Sequence, residues 1–211
     1  MRKYAIICGS RSGSTFLCDL LDGTNRCGRP REYFNKCIQE ELRPKEYSLK
    51  EYKEKLFKYH KTNNDVFGTK LIVKKDFEEF LRSGISLENW KWIHLYREDS
   101  ILQAISRYIA AEKYGWHRQV EPPEYSRDKI QKYLNDIVDE NKYISTFLEP
   151  LNHIKISYEA DLCAYPESTL VSIVNFLEIS TDELPIVVTD INKKPQEPNL
   201  TWKKRFLNET I

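Results

Sequence analysis

Tyr4-Ala5-Ile6-Ile7-Cys8-Gly9-Ser10-Arg11-Ser12-Gly13-Ser14-Thr15-Phe16-Leu17 is the stretch that decides the fold. A short apolar run, Tyr4 to Cys8, breaks into Gly, Ser and Arg, and an amphipathic segment begins directly after Gly13. That order predicts a buried strand, an anion-binding loop and a helix. Successive backbone N–H groups in such a loop, at the positive end of a helix, form a cradle for phosphate.

The loop departs from the nucleoside triphosphate pattern G-x-x-x-x-G-K-[ST]. Gly9 and Gly13 stand one residue too close for it, and Ser14 occupies the place of its Lys. The cation is Arg11, inside the loop. The expected ligand is a phosphate-rich nucleotide other than ATP with magnesium.

Outward from the loop, apolar strands alternate with helical patterns. The first unit is strand Lys3–Cys8, loop Gly9–Gly13 and helix Ser14–Asp22, with Phe16, Leu17, Leu20 and Leu21 at helical spacing. An irregular segment, Thr24–Lys36, carries Gly28 and Pro30, which argue against a helix through its start. Ser48–Lys61 reads as a charged, solvated surface helix with Tyr52, Leu56 and Tyr59 on one face. Strands are predicted at Val66–Val73, Trp92–Tyr96 and His153–Ser157. Helices are predicted at Lys74–Arg82, from Asp99 or Ser100 to about Tyr114, at Ser126–Leu148, Pro166–Leu177 and Leu200–Asn208. Pro122-Pro123 and Pro185–Pro198 read as loops. This alternation predicts an α/β fold of P-loop-like, three-layer architecture, with a central, mostly parallel sheet flanked by helices. Ligands of such sheets sit at the carboxyl ends of the strands. Arg11, Arg97 and Tyr158-Glu159 fall there; Lys70 lies within the second strand.

Composition sets the bounds. The chain of 211 residues is expected to form one domain over residues 1–211. A net charge of +1 gives no global field pointing to nucleic acid or an anionic membrane, so any anion site is local. No apolar run approaches the roughly 20 residues of a membrane span, and Tyr4 to Cys8 is too short for a signal-peptide core. A cytoplasmic location is expected. The cysteines, 5 in number, form no C-x-x-C pair and read as reduced and mostly buried. No cluster of His, Cys and carboxylates with metal spacing is visible, and no metal is expected.

Several motifs, taken in order, then carry a resemblance. Arg11-Ser12-Gly13-Ser14-Thr15 resembles the 5′-phosphosulfate loop of sulfotransferases that use 3′-phosphoadenosine 5′-phosphosulfate (PAPS). Gly28-Arg29-Pro30-Arg31-Glu32-Tyr33-Phe34 is similar to the G-x-P-x-E-[FY]-F segment of the Stf0, or trehalose 2-sulfotransferase, branch. Phe67-Gly68-Thr69-Lys70-Leu71 is similar to that branch's G-x-K-L strand. Tyr96-Arg97-x-Asp99 with Gln103-Ala104-Ile105-Ser106 resembles its 3′-phosphate segment, and Ile156-Ser157-Tyr158-Glu159-Ala160-Asp161-Leu162 its Y-E-D-L turn.

The resemblance implies PAPS as co-substrate, no metal, and sulfonate transfer to a hydroxyl, that of a carbohydrate or glycolipid. It implies that Arg11, Ser12, Gly13, Ser14 and Thr15 hold the 5′ end, with Arg11 also stabilising charge on the leaving oxygen. Arg97 and Ser106 would hold the 3′-phosphate, the Arg fork suiting it; the bland reading of Arg97 is an ion pair with Glu98 or Asp99. Glu32 would be the general base for the acceptor hydroxyl. His94, His117 and His153 are rival bases, of which His117 also stands as an acceptor-side residue. Lys70 would reach the sulfonate or else pair with a surface carboxylate. Tyr33, Phe34, Tyr108 and Trp116 would line a sugar platform or else pack in the core. Lys194, in the Lys193–Gln196 loop, would close over the nucleotide or else be solvated. The branch forms dimers, so a homodimer is implied. Arg29 stands where the trehalose enzymes often carry an acidic residue, and the Phe34–Val66 segment is shorter than theirs, so trehalose itself is not implied. The alternative is a P-loop nucleotide-binding protein or small-molecule kinase, which the missing loop Lys disfavours.

Overall fold

The computed structural model describes residues 1–36, 48–112, 123–181 and 197–209. Strand β1 (Arg2–Cys8) is inserted between β2 (Val66–Ile72) and β3 (Trp90–Tyr96), and β4 (His153–Ser157) pairs with the far side of β3. Every pairing is parallel, with Ile6 opposite Lys70 and Ile93, and Trp92 opposite His153. The sheet order β2-β1-β3-β4 puts a change of winding direction at β1. The chain leaves β1 for one neighbour and then crosses to the other. A crevice therefore opens beyond the carboxyl ends of β1 and β3, where ligands of open α/β sheets bind.

Strand alternation decides the two layers. Tyr4, Ile6 and Cys8 face α1 (Ser14–Gly23), which contributes Leu17, Leu20 and Leu21. Ala5 and Ile7 face the opposite side, with Phe67, Leu71, Trp90 and Trp92. Helix α2 (Leu49–Tyr59) and α3 (Asp76–Arg82) cover that second side through Tyr52, Leu56, Phe77 and Phe80. Helices α4 (Ser100–Glu112), α5 (Arg127–Leu148) and α7 (Asn199–Asn208) form a third cluster around Ile105, Ile130, Ile137, Trp202 and Phe206. Helix α6 (Pro166–Phe176) packs Leu170, Ile173 and Val174 beside α1.

Three expectations are corrected. Helix α2 is not simply solvated: Tyr52 and Leu56 are buried, and the Tyr52 hydroxyl donates to the Tyr33 carbonyl at 2.8 Å. Helix α3 begins at Asp76 rather than Lys74, because residues 73–75 form a turn in which Lys75 N–H returns to Ile72 O at 3.1 Å and Lys74 has φ 63°. Strand β3 starts two residues early, at Trp90, whose N–H is held by Leu87 O. The cap of α4 is Asp99, whose Oδ1 accepts from Leu102 N–H at 3.0 Å. Cys8, Cys18 and Cys27 are buried, while Cys163 is exposed; Cys37 lies outside the described residues. Among the described residues no helix is long and apolar enough to cross a membrane.

Candidate active site

The loop between β1 and α1 has the backbone geometry expected of an anion cradle. Arg11 and Gly13 both take positive φ, 63° and 88°, the alternation that turns successive N–H groups inward. Gly13 is the N-cap of α1 and supplies no side-chain cap, so the first N–H groups of the helix stay available. The hydroxyls of Ser10 and Ser12 are buried without a hydrogen-bond partner among the described residues; such groups are rare unless something unseen satisfies them. Ser14 is buried and Thr15 exposed. Gln103, from α4, braces the loop by donating Nε2–H to Ser10 O at 2.9 Å. Glu140 of α5 packs against Gly9 from behind and holds Arg107 through two 2.9 Å contacts.

Gly13 has a second reason to be glycine. A Cβ there would lie 2.1 Å from Cδ2 of Tyr158. Tyr158 opens a single π-helical turn (Tyr158–Cys163) after β4, so the loop of β1 and the end of β4 are in direct contact.

Three residues expected at the nucleotide come together at the crevice. Arg11 Nε donates to Ser106 Oγ at 3.0 Å, joining loop to α4. The Tyr158 ring touches the loop at Gly13 and lies 4.9 Å from the Arg97 guanidinium, so the loop and Arg97 share one neighbourhood. Arg11 itself is solvent-exposed, and partial desolvation and then the positive charge of Arg97 lower its pKa. Arg97 does not pair with Glu98 or Asp99. Its Nε meets Glu159 Oε1 at 3.0 Å, and its Cζ stands 4.9 Å from the Tyr158 ring centre. Asp99 instead pairs with Lys203 of α7.

Glu32 arrives from a different direction. The segment carrying it runs beside β2, with Lys70 N–H donating to Arg31 O at 2.9 Å. Gly28 permits this approach: its φ is 75°, and a Cβ would lie 2.8 Å from the Gly68 nitrogen. Arg31 pins the segment to α1 through Asp22 at 2.6 Å and Asp19 at 3.5 Å, while Arg29 stays largely exposed, 3.8 Å from Asp22. Lys70 is therefore not a surface lysine. Its Nζ lies 2.8 Å from Glu32 Oε1, with side-chain exposure of 11% against 27% for Glu32. Burial works against the Lys70 ammonium, but Cys18 and Glu32 outweigh it and the pKa is raised. The Cys8 thiol, pushed up by burial, feels both Lys70 and Glu32. Cys8 is the residue from which the phosphate loop springs, so the Glu32–Lys70 pair stands at the root of that loop. Asn35 Nδ2 donates to Glu32 Oε2 at 3.3 Å.

Other expected residues are placed elsewhere. The Tyr33, Phe34 and Tyr108 rings are core, not a cleft wall: Phe34 packs edge-on to Phe80 at 5.0 Å, Tyr33 stacks near Phe67, and Tyr108 meets Trp202. His153 sits at the opening of β4, its Nδ1 2.9 Å from Leu151 O, away from the carboxyl ends. His94 is buried in mid-strand. His117, Trp116 and Lys194 with the Lys193–Gln196 loop lie outside the described residues. Glu159, Tyr158, Gln103 and Asn35 gained no role from the sequence. Glu159 followed a strand end, and Gln103 is three residues from Ser106 on one helical face, which are the signals that were there to read.

The family model of the Stf0 sulphotransferases matches residues 3–209. The fold and crevice are of the phosphate-loop-like α/β kind, and the chain belongs to the Stf0 sulphotransferase family, a family of transferases. No curated protein matches it. Among solved structures it is similar to a sulfotransferase domain from the curacin biosynthetic pathway, at 19% identity and TM-score 0.55 over 85% of this chain and 75% of that one. A sulfotransferase domain from the Synechococcus PCC 7002 olefin synthase is similar at 18% identity and TM-score 0.51, over 94% and 82%. A sulfotransferase from Alicyclobacillus acidocaldarius is similar at 12% identity and TM-score 0.55, over 98% and 91%. At these identities the likeness is one of fold.

Two buried titratable groups give opposite pH dependences. Burial, then the charges of Lys155 and His153, push the His94 imidazole down to about 4 from 6.5. Its stabilising effect is present above 6.5 and is lost as pH falls towards 4. Burial pushes the Asp76 carboxyl up to about 6 from 3.8, with the nearby Glu32 charge adding to it. Its effect is present below 3.8 and is lost as pH rises through 6. Each is worth about 3 kcal/mol at most, so the two nearly cancel between pH 6 and 4. Urea melts across that range should show His94→Gln gaining stability on acidification relative to the parent, and Asp76→Asn losing it. Parallel pH profiles for all three proteins would refute the assignment.

Proposed function

We propose that this protein moves the sulfonate of PAPS to an acceptor hydroxyl, with Glu32 as general base. The observation that carries the reading is the meeting of two sites at one sheet end. The phosphate loop and the Arg11–Ser106–Arg97 group stand beyond β1 and β3, and the Glu32–Lys70 pair stands beside Cys8 at the loop's root. PAPS has two anionic ends, and the chain offers two cationic devices that fit them. The loop from Arg11 to Thr15, with α1 behind it, takes the 5′-phosphosulfate. Arg97 and Ser106 take the 3′-phosphate.

In this scheme Glu32 accepts the hydroxyl proton as the acceptor oxygen bonds to sulfur. The bond from sulfur to the bridging oxygen breaks in line, and that oxygen keeps the electron pair. Lys70 holds Glu32 Oε1 in place at 2.8 Å and, from there, reaches for the transferring sulfonate. Arg11, anchored by Nε at Ser106, offers its remaining N–H groups to charge growing on the leaving oxygen. The acceptor is a carbohydrate or glycolipid hydroxyl, the class the family resemblance implies, and the location is cytoplasmic.

The test is ligand stabilisation followed by transfer. At about 100 times its Kd, adenosine 3′,5′-bisphosphate should add roughly 2.7 kcal/mol of stability, or about 5–10 °C in Tm. Labelled sulfonate should pass from PAPS into members of a glycan and glycolipid panel. Stabilisation by ATP with magnesium alone would instead select the kinase-like alternative.

A further inference from the structure

We infer that Glu159 is a positioning residue: by fixing the Nε edge of Arg97 it aims the guanidinium at the 3′-phosphate and so sets the preference for 3′-phosphorylated nucleotides. The inference rests on the assignment of Arg97 given above. Both Glu159 oxygens are committed, Oε1 to Arg97 Nε at 3.0 Å and Oε2 to Glu98 N–H at 2.9 Å. The carboxylate thus ties the side chain of Arg97 to the backbone of the next residue. The turn that carries it is itself fastened to β4. Ser157 N–H donates to Asp161 Oδ2 at 2.7 Å, Ser157 Oγ donates to Glu98 Oε1 at 2.9 Å, and Ala160 N–H donates to Ser157 Oγ at 3.0 Å. Tyr158 lies against the guanidinium from the same turn. A planar group held at one edge and along one face keeps a single direction open to its other N–H groups, which is what bidentate recognition of phosphate requires.

An ordinary surface ion pair does not explain the arrangement. Such pairs are exposed and contribute little, whereas the Arg97 side chain is 12% exposed. Arg11 stands close enough for the charge of Arg97 to lower its pKa. The Glu159 charge therefore also lets two guanidinium groups share the crevice before an anion arrives.

The experiment measures Kd for adenosine 3′,5′-bisphosphate and for adenosine 5′-monophosphate by calorimetry, and takes their ratio. In Glu159→Ala the ratio should fall about 10-fold, mainly by weakening the bisphosphate. In Glu159→Gln, which keeps an acceptor for Nε but gives up the one for Glu98 N–H, it should fall less and stay within about 3-fold of the parent. A purely electrostatic role would tighten the bisphosphate more than the monophosphate and raise the ratio, and a purely structural role would weaken both alike; either overturns the inference. An equal fall in the Gln variant overturns it too, because the acceptor kept for Nε would then not be what orients Arg97. Glu159→Asp, which draws the carboxylate back by one methylene, should also lower the ratio, and serves if the Ala variant does not fold. Arg97→Ala is the control: a ratio collapsing there but unmoved in Glu159→Ala rejects Glu159 alone, and a ratio unmoved in Arg97→Ala rejects the 3′-phosphate assignment itself.

Discussion

Glu32→Gln should bind adenosine 3′,5′-bisphosphate as the parent does and transfer sulfonate about 10²–10⁴-fold more slowly, the usual range for removing a general base. The substitution is mild for the fold. Gln keeps an oxygen for Lys70, which now lies 2.8 Å from Glu32 Oε1, and gives up only the weaker acceptor for Asn35 Nδ2–H, at 3.3 Å. Lys70 is not left buried beside nothing, the situation that makes broken buried pairs so destabilising. The groups proposed to hold the nucleotide, Arg11 with Ser106 and Arg97 with Glu159, pair with one another rather than with Glu32. Only the proton acceptor is removed. Single-turnover transfer from saturating PAPS separates this from a binding defect: the rate should fall while the bisphosphate Kd stays within about 2-fold. Near-normal turnover would strip Glu32 of its role and leave Lys70 as the residue to explain.

The sequence displayed what is local and concealed what is paired across the fold. The strand-loop-helix around Arg11 was legible because its signals are contiguous: an apolar run, a glycine-rich break, a helical stripe. Arg97 and Ser106 were legible because a strand end and the next helix hold them in order. The partner of Lys70 was not, since Arg31 and Glu32 reach β2 only through the close approach at Gly28. No periodicity encodes a segment laid beside a strand from a distant part of the chain. Tyr33 and Phe34 misled for the same reason. Their neighbour Glu32 lies at the site while their rings turn into the core, and the motif does not say which side chains face which way. Asp76 shows the limit most clearly. It stands at the start of a helix rich in acidic residues and nothing in the sequence singles it out, yet it is fully buried and its Oδ2 accepts from Ile72 N–H at 3.1 Å. Desolvation belongs to the tertiary structure alone.

Gly13→Ala should destabilise the protein by about 2–4 kcal/mol and abolish nucleotide stabilisation. Two separate costs meet at this residue. An Ala held at φ 88° carries the left-handed penalty, about 1–2 kcal/mol. Its Cβ would also stand 2.1 Å and 2.3 Å from two carbons of the Tyr158 ring, a collision that only movement of the ring or the loop relieves. Either movement harms the anion site: a displaced loop misdirects the first N–H groups of α1, and a displaced ring leaves Arg97, 4.9 Å away, without its supporting face. Urea melts of Gly13→Ala, Tyr158→Ala and the double variant separate the two costs. Removing the ring relieves the collision but not the backbone penalty, so the double variant should be more stable than the sum of the single losses by about 1–3 kcal/mol. It should still fail to gain stability from adenosine 3′,5′-bisphosphate, because the loop keeps its strained residue and Arg97 has lost its ring. Additive losses would mean that the ring and the loop do not meet, and parental nucleotide binding by Gly13→Ala would mean that the loop is not the anion cradle.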